Sequence, residues 1–152
     1  MRAFLAIAML FLLLLPLDGR AATENDLFQE TVNYVFTGRT DPPDAPEIVD
    51  RKSCIVLMRD AKYKRYVRYY LGRFPMETAV FSKTYAGSQV RYNLEVESDK
   101  VLIEYLSADK ATVLQGYRSA QIPLPGNYEQ TQKALNIIFR DYCKADQQRS
   151  PF

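Results

Sequence analysis

Val90-Arg91-Tyr92-Asn93-Leu94-Glu95-Val96-Glu97 decides the fold class of this chain. Val90, Tyr92, Leu94 and Val96 alternate without a fault with Arg91, Asn93, Glu95 and Glu97. A period of two is that of a strand with one face buried and the other wet. Such one-sided strands belong to antiparallel sheets. Ser98-Asp99 then reads as a turn, although it lacks the Gly that the tightest hairpins use. Lys100 to Leu106 reads as the return strand. In a two-residue-turn register, Val101, Ile103 and Tyr105 meet Val96, Leu94 and Tyr92 on one face. A slip of one residue would expose that set, so the pattern favours this pairing.

More strands precede and follow. Ile48 to Arg59 is centred on Cys54-Ile55-Val56-Leu57-Met58, an apolar run that implies burial on both faces. Asp60-Ala61 turns the chain, and Lys62 to Phe74 forms a long strand rich in Tyr. Thr78 to Tyr85 is the next, closed by Ala86-Gly87-Ser88. Thr112 to Ile122 is the last, ended by Pro123 and Pro125.

Helices bracket these strands. Thr23-Glu24-Asn25-Asp26 resembles a helix start, with a short acceptor followed by acids. Phe28, Val32, Val35 and Phe36 recur at helical spacing, and Gly38 supplies a stop. Arg39 to Pro46 holds three prolines and reads as a loop. Asn127 with Gln130 is a capping pattern for a final helix, whose inner side is expected to carry Tyr128, Thr131, Leu135, Ile138 and Tyr142, joined by Ala134 and Phe139. The expected fold is α+β. It is an antiparallel meander of five to six strands, with an N-terminal and a C-terminal helix packed on one face.

The chain starts with an export signal. Met1-Arg2 is a cationic start, Ala3 to Leu17 is an apolar run of 15 residues, and small residues follow at Gly19 and Ala21. That is a secretory leader, too short for a spanning helix, with cleavage expected after Ala21 or Ala22. Residues 1–22 are therefore read as a cleaved signal, 23–146 as one α+β domain, and 147–152 as a flexible tail. No membrane span is expected after cleavage. Export makes an even pair of cysteines a disulfide, so Cys54 and Cys143 are expected to be joined. The bridge would tie the first strand to the last helix.

Composition narrows the chemistry. The 152 residues carry 20 Lys+Arg against 18 Asp+Glu, with no His and no Trp. Losing Arg2, Asp18 and Arg20 with the leader leaves a formal charge of +1. A balance this even gives no global pull toward nucleic acid, and no nucleic-acid partner is expected. Without His, the usual neutral-pH acid/base and a frequent metal ligand are missing. Two Cys and no His cannot fill a zinc site, and no phosphate loop or dinucleotide fingerprint is present. No metal, cofactor or catalytic residue is assigned.

The most distinctive stretch is Lys62-Tyr63-Lys64-Arg65-Tyr66-Val67-Arg68-Tyr69-Tyr70. On a strand, Lys64, Tyr66, Arg68 and Tyr70 share a face. Cations suit phosphate, sulfate or carboxylate, and Tyr rings suit stacking. These four are the candidate binding residues. The same pattern also fits an ordinary solvated strand protected by charge. Glu95, Glu97 and Glu104 are the clustered carboxylates, placed on another outer face. They admit a carboxylate hydrolase as an alternative, as Ser82-Lys83 and Ser98-Lys100 admit a Ser/Lys one. Ile55, Leu57, Leu102 and Leu106 are expected on the sheet face away from the helices. Curvature, a ligand or a second subunit could cover them, and the last makes a structural homodimer a further alternative. The leading expectation is an exported, non-catalytic binding or accessory protein of the bacterial envelope, periplasmic or secreted. Its partner is an unidentified protein or envelope ligand.

Overall fold

A computed structural model of the chain describes residues 19–143. Residues 1–18 of the expected leader, and the expected tail at 147–152, lie outside the described residues. Helix α1 spans Gly19–Thr37, and the eight strands are β1 (Glu47–Asp50), β2 (Ile55–Asp60), β3 (Arg65–Tyr70), β4 (Val80–Ala86), β5 (Gln89–Glu97), β6 (Ile103–Leu106), β7 (Val113–Tyr117) and β8 (Ser119–Leu124). Helix α2 (Tyr128–Asn136) continues into a π-helical turn, Ile137–Tyr142. The α+β class with antiparallel pairing is as expected.

The helix ends follow the residues that specify them. Gly38 takes φ +75° and its N–H donates to the Tyr34 carbonyl at 2.8 Å. That left-handed stop costs glycine nothing. At the other terminus the Asn127 side chain accepts from the Gln130 N–H at 3.1 Å, which caps α2. Thr23 is not a cap, because α1 already begins at Gly19. Arg20, Ala21 and Ala22 are strong helix formers and carry the helix upstream. The proline loop is tied to α1 by side-chain amides. Gln29 Nε2 donates to the Pro46 carbonyl, and Asn33 Nδ2 donates to that of Thr40.

The strands form two sheets rather than one meander. One has the order β1-β2-β3-β6-β7 and the other β4-β5-β8. The expected hairpin between β5 and β6 does not form. β5 lies between β4 and β8, with Leu94 opposite Phe81 and Ile122. β6 lies between β3 and β7, with Ile103 opposite Tyr69 and Tyr117. Residues Ser98 to Leu102 are a link between sheets, and fully buried Leu102 anchors it. The expected sixth strand is likewise cut at Arg118, with β7 in one sheet and β8 in the other. Ser98 N–H donates to the Arg118 carbonyl at 2.9 Å, so both switches meet. Alternation names the buried face of a strand but not its partner, and that is where the register expectation failed.

One core joins everything. Phe28, Val32 and Val35 of α1, Val56, Val67 and Ile103 of the larger sheet, Leu94, Val96, Ile122 and Leu124 of the smaller, and Leu135 and Ile138 of the last helix make a single buried cluster. Each such side chain contributes about 1.5–3 kcal/mol by leaving water. Leu57 and Leu106 are also buried, at 4% and 0% exposure, but stand apart from that cluster. In the strand registers they sit on the opposite face of the larger sheet, beside Arg68 and Tyr66. The chain covers these two itself, and Leu102 belongs to the core. Only Ile55 of the expected outer set is half-buried.

The disulfide is present between Cys54 and Cys143, with Cα atoms 5.6 Å apart. Each cysteine sits just off the element assigned to it. Cys54 is in the turn before β2 with φ +51°, and Cys143 follows the π-helical turn. Among the described residues no helix is long and apolar enough to cross a membrane.

Candidate functional site

β3 is an interior strand of the larger sheet, so its alternation is enforced from both sides. Val67 is buried in the core, and Tyr69 packs its ring 4.8 Å from that of Phe36. Tyr66, Arg68 and Tyr70 then point to the opposite face, each half-buried. Lys64 does not join them. The β2–β3 hairpin closes at Asp60 opposite Arg65, and Lys64 lies in the turn at φ +51°. The Asp60 carboxylate accepts from the Tyr63 N–H at 3.4 Å and helps to fix that turn. A side-chain acceptor next to a reversal outweighed the strand preference of Tyr63.

Register supplies the chemistry around Arg68. Glu104 of β6 stands directly opposite it. Arg68 Nη1 donates to Glu104 Oε2 at 3.1 Å, and the Tyr70 hydroxyl donates to the same oxygen at 2.6 Å. Arg68 Nη1 also reaches the Tyr70 oxygen at 3.5 Å. Burial first, and then the bond to Glu104, raises the pKa of Tyr70 above the usual tyrosine range. It is thus a neutral donor at physiological pH, and Glu104 is the countercharge of Arg68. Arg73 lies 3.9 Å from the Tyr70 ring centroid and donates to the Val101 carbonyl at 3.1 Å. Lys110 spans the far side, 4.8 Å from the Tyr66 ring and 2.7 Å from Glu47.

Glu104 therefore belongs to the face of Arg68, not to a separate acidic face. Glu95 and Glu97 lie on the other sheet, beside an open groove of about 410 Å³. Glu95 accepts there from Ser82 Oγ at 2.6 Å and from Gln121 Nε2 at 3.3 Å. Ser82 and Lys83, adjacent on β4, point to opposite faces, so Lys83 does not serve Ser82 as a base. Lys83 Nζ is 5.3 Å from the Tyr85 ring, and its hydrogen bond to Tyr85 holds it more firmly protonated.

Most cations of the tyrosine-rich stretch are thus engaged within the chain. Arg65 pairs with Asp60 at 3.0 Å and lies 3.7 Å from the Tyr105 ring centroid. Arg59, exposed and opposite Tyr66, has no ion-pair partner among the described residues. The face is a set of held cations and rings rather than an open positive field. Arg68 still has Nε and Nη2 for a ligand, and a planar fork suits carboxylate, sulfate or phosphate. Alternation in the sequence placed Tyr66, Arg68 and Tyr70 on one face, and the strand does so. It missed the contacts of Glu47, Glu104, Arg73 and Lys110, which depend on pairing between distant segments.

The inward side of β3 has a measurable signature. Burial above all, with Tyr105 and Asp60 nearby, pushes the Tyr69 pKa from 10.0 to about 12. The folded chain then holds a proton that the unfolded chain has lost. Tyr69 contributes fully below pH 10, and that contribution drains away as pH rises through about 12. Unfolding free energy should fall by up to about 1.4 kcal/mol per pH unit across that window. Alkaline denaturant titrations of the protein and of Tyr69→Phe check this, because the variant should lose that part of the slope.

Compared with known protein families, with curated proteins and with solved structures, the chain matches none.

Proposed function

We propose that the chain is an exported, non-catalytic binding or accessory protein of the bacterial envelope. It holds a protein or envelope ligand on the outer face of the larger sheet, around Tyr66, Arg68 and Tyr70. The observation that carries this reading is the Glu104 carboxylate. It fixes the Arg68 guanidinium and the Tyr70 hydroxyl together on a solvent-reachable face. Groups held in place before contact lose little freedom on binding. Tyr and Arg are also the residue types that dominate binding hot spots. The disulfide and the leader-like start support export, since thiols pair in oxidising compartments.

Immobilised mature protein should retain a ligand from envelope extract. Tyr66→Ala combined with Arg68→Ala should weaken that retention at least about tenfold, as expected for hot-spot residues. Retention unchanged by the double variant, with the fold intact by circular dichroism, removes this face as the site. The carboxylate-hydrolase alternative would instead act at Glu95. An activity on glycan or ester substrates that Glu95→Gln abolishes would replace the binding reading.

A further inference from the structure

Three cations stack on rings of β3 and β6, and two of them hold a carboxylate. Arg65 lies over Tyr105 and pairs with Asp60 at 3.0 Å. Lys110 lies over Tyr66 and pairs with Glu47 at 2.7 Å. The third is Arg73, 3.9 Å from the Tyr70 ring centroid, and no carboxylate of the described residues pairs with it. It is held all the same. Nη1 donates to the Val101 carbonyl at 3.1 Å, and the Tyr70 ring packs against the guanidinium. Nε and Nη2 are left over, on an exposed side chain. A planar fork fixed by other contacts and lacking its anion is a prepared carboxylate site. Its neighbours extend it along β3. The Tyr70 hydroxyl and Arg68 meet on Glu104, so Arg73 adjoins the Arg68 fork. Arg59, exposed and without an ion pair among the described residues, stands opposite Tyr66 at the other end of the strand.

We propose that Arg73, together with Arg68 and Arg59, makes the outer face of the larger sheet a site for an extended acidic peptide of a partner protein, its carboxylates seated on the guanidinium groups in turn. The proposal rests on the reading of this face as the binding surface and names its ligand. Spacing argues for a peptide. Tyr66, Arg68 and Tyr70 mark three levels two residues apart, so about 6.7 Å separates each from the next. An extended chain lying along β3 sets its own alternate side chains at the same interval. Acids at every second position then meet Arg59 beside Tyr66, Arg68, and Arg73 beside Tyr70. The contacts within the chain argue for carboxylate over other anions. Glu104 and Glu47 show how this face holds one, with a cation in both cases and a tyrosine hydroxyl in the first. β3 has β2 and β6 on its two sides, so the peptide lies on the face and adds no strand. Gly116 lies opposite Glu104, so β7 raises no side chain at that end of the row.

The probe is a short fluorescein-labelled peptide in which Glu alternates with Thr, titrated with the disulfide-bonded protein at low salt and followed by fluorescence anisotropy. It should bind with a dissociation constant in the micromolar range, and added salt should weaken it, because the cations are exposed and screened. The same peptide with Gln in place of Glu should not bind. Arg73→Ala should raise the dissociation constant at least about tenfold, as for a hot-spot arginine. Arg59→Ala should raise it too, and Lys83→Ala on β4 should leave it unchanged. No binding up to about 1 mM protein, the weak limit of a specific contact, overturns the proposal. So does equal binding of the Gln peptide, indifference to Arg73→Ala, or tighter binding to vesicles of anionic phospholipid than to the Glu peptide. In each of those cases, retention of an envelope ligand that still depends on Tyr66 and Arg68 keeps the binding face and removes only the acidic peptide. Retention that ignores both residues removes the face itself, and this proposal with it.

Discussion

Replacing both Cys54 and Cys143 by Ser lowers the unfolding free energy by about 4–5 kcal/mol, the chain-entropy value for closing a loop of this length. The two residues are 89 apart in sequence and bring the start of β2 onto the end of the last helix. Without the bond, the segment from Cys54 to Cys143, which holds seven of the eight strands and the last helix, gains freedom when it unfolds. Folded domains of this size are held by only about 5–15 kcal/mol, so the loss is a large fraction of the total. Urea titrations of the oxidised protein and the double Ser variant measure it directly. Cys54 also sits at φ +51°, a conformation disfavoured for a residue with a Cβ. Its carbonyl accepts from the Leu71 N–H at 3.0 Å, so the turn is held by the backbone as well as by sulfur. The folded form of the double variant should accordingly keep its two-sheet arrangement while melting earlier.

Phe28→Ala should cost about 3–5 kcal/mol, the range for emptying a fully buried aromatic site. Phe28 is 0% exposed, with its ring centroid 4.8 Å from that of Tyr142 and the Arg51 guanidinium 5.8 Å away. It thus joins α1, the turn before β2 and the last helix at the place the disulfide also clamps. Phe28→Leu keeps most of the volume and should lose clearly less. Thermal melts of the two variants check the ordering. The combination with the Cys54→Ser and Cys143→Ser changes should depart from additivity, because the sites share neighbours.

Much of this architecture was legible in the residues. Gly38 and Asn127 mark helix ends because a left-handed stop and a side-chain cap are local devices. The alternation of Val90 to Glu97 marks a one-sided strand for the same reason. The bridge could be read from two cysteines behind a leader-like start. What the residues hid was pairing. Ser98-Asp99 looks like a hairpin turn, yet the chain there passes from one sheet to the other, and Leu102 is buried by the passage. Nothing local distinguishes a strand that folds back from one that continues into a second sheet. The candidate site shows the same division. Tyr66, Arg68 and Tyr70 share a face by simple alternation, but Glu104, which fixes two of them, is more than thirty residues away. Lys64 fell out because the strand begins at Arg65, three residues later than the Lys62 start that the tyrosine-rich pattern suggests.

Mass spectrometry of the protein recovered from cells tests most directly whether this is an exported domain clamped by a single bridge. The expected result is a chain beginning at Ala22 or Thr23, with the peptides containing Cys54 and Cys143 joined. An intact Met1 to Ala21 segment, or two unmodified thiols in the folded protein, would contradict it.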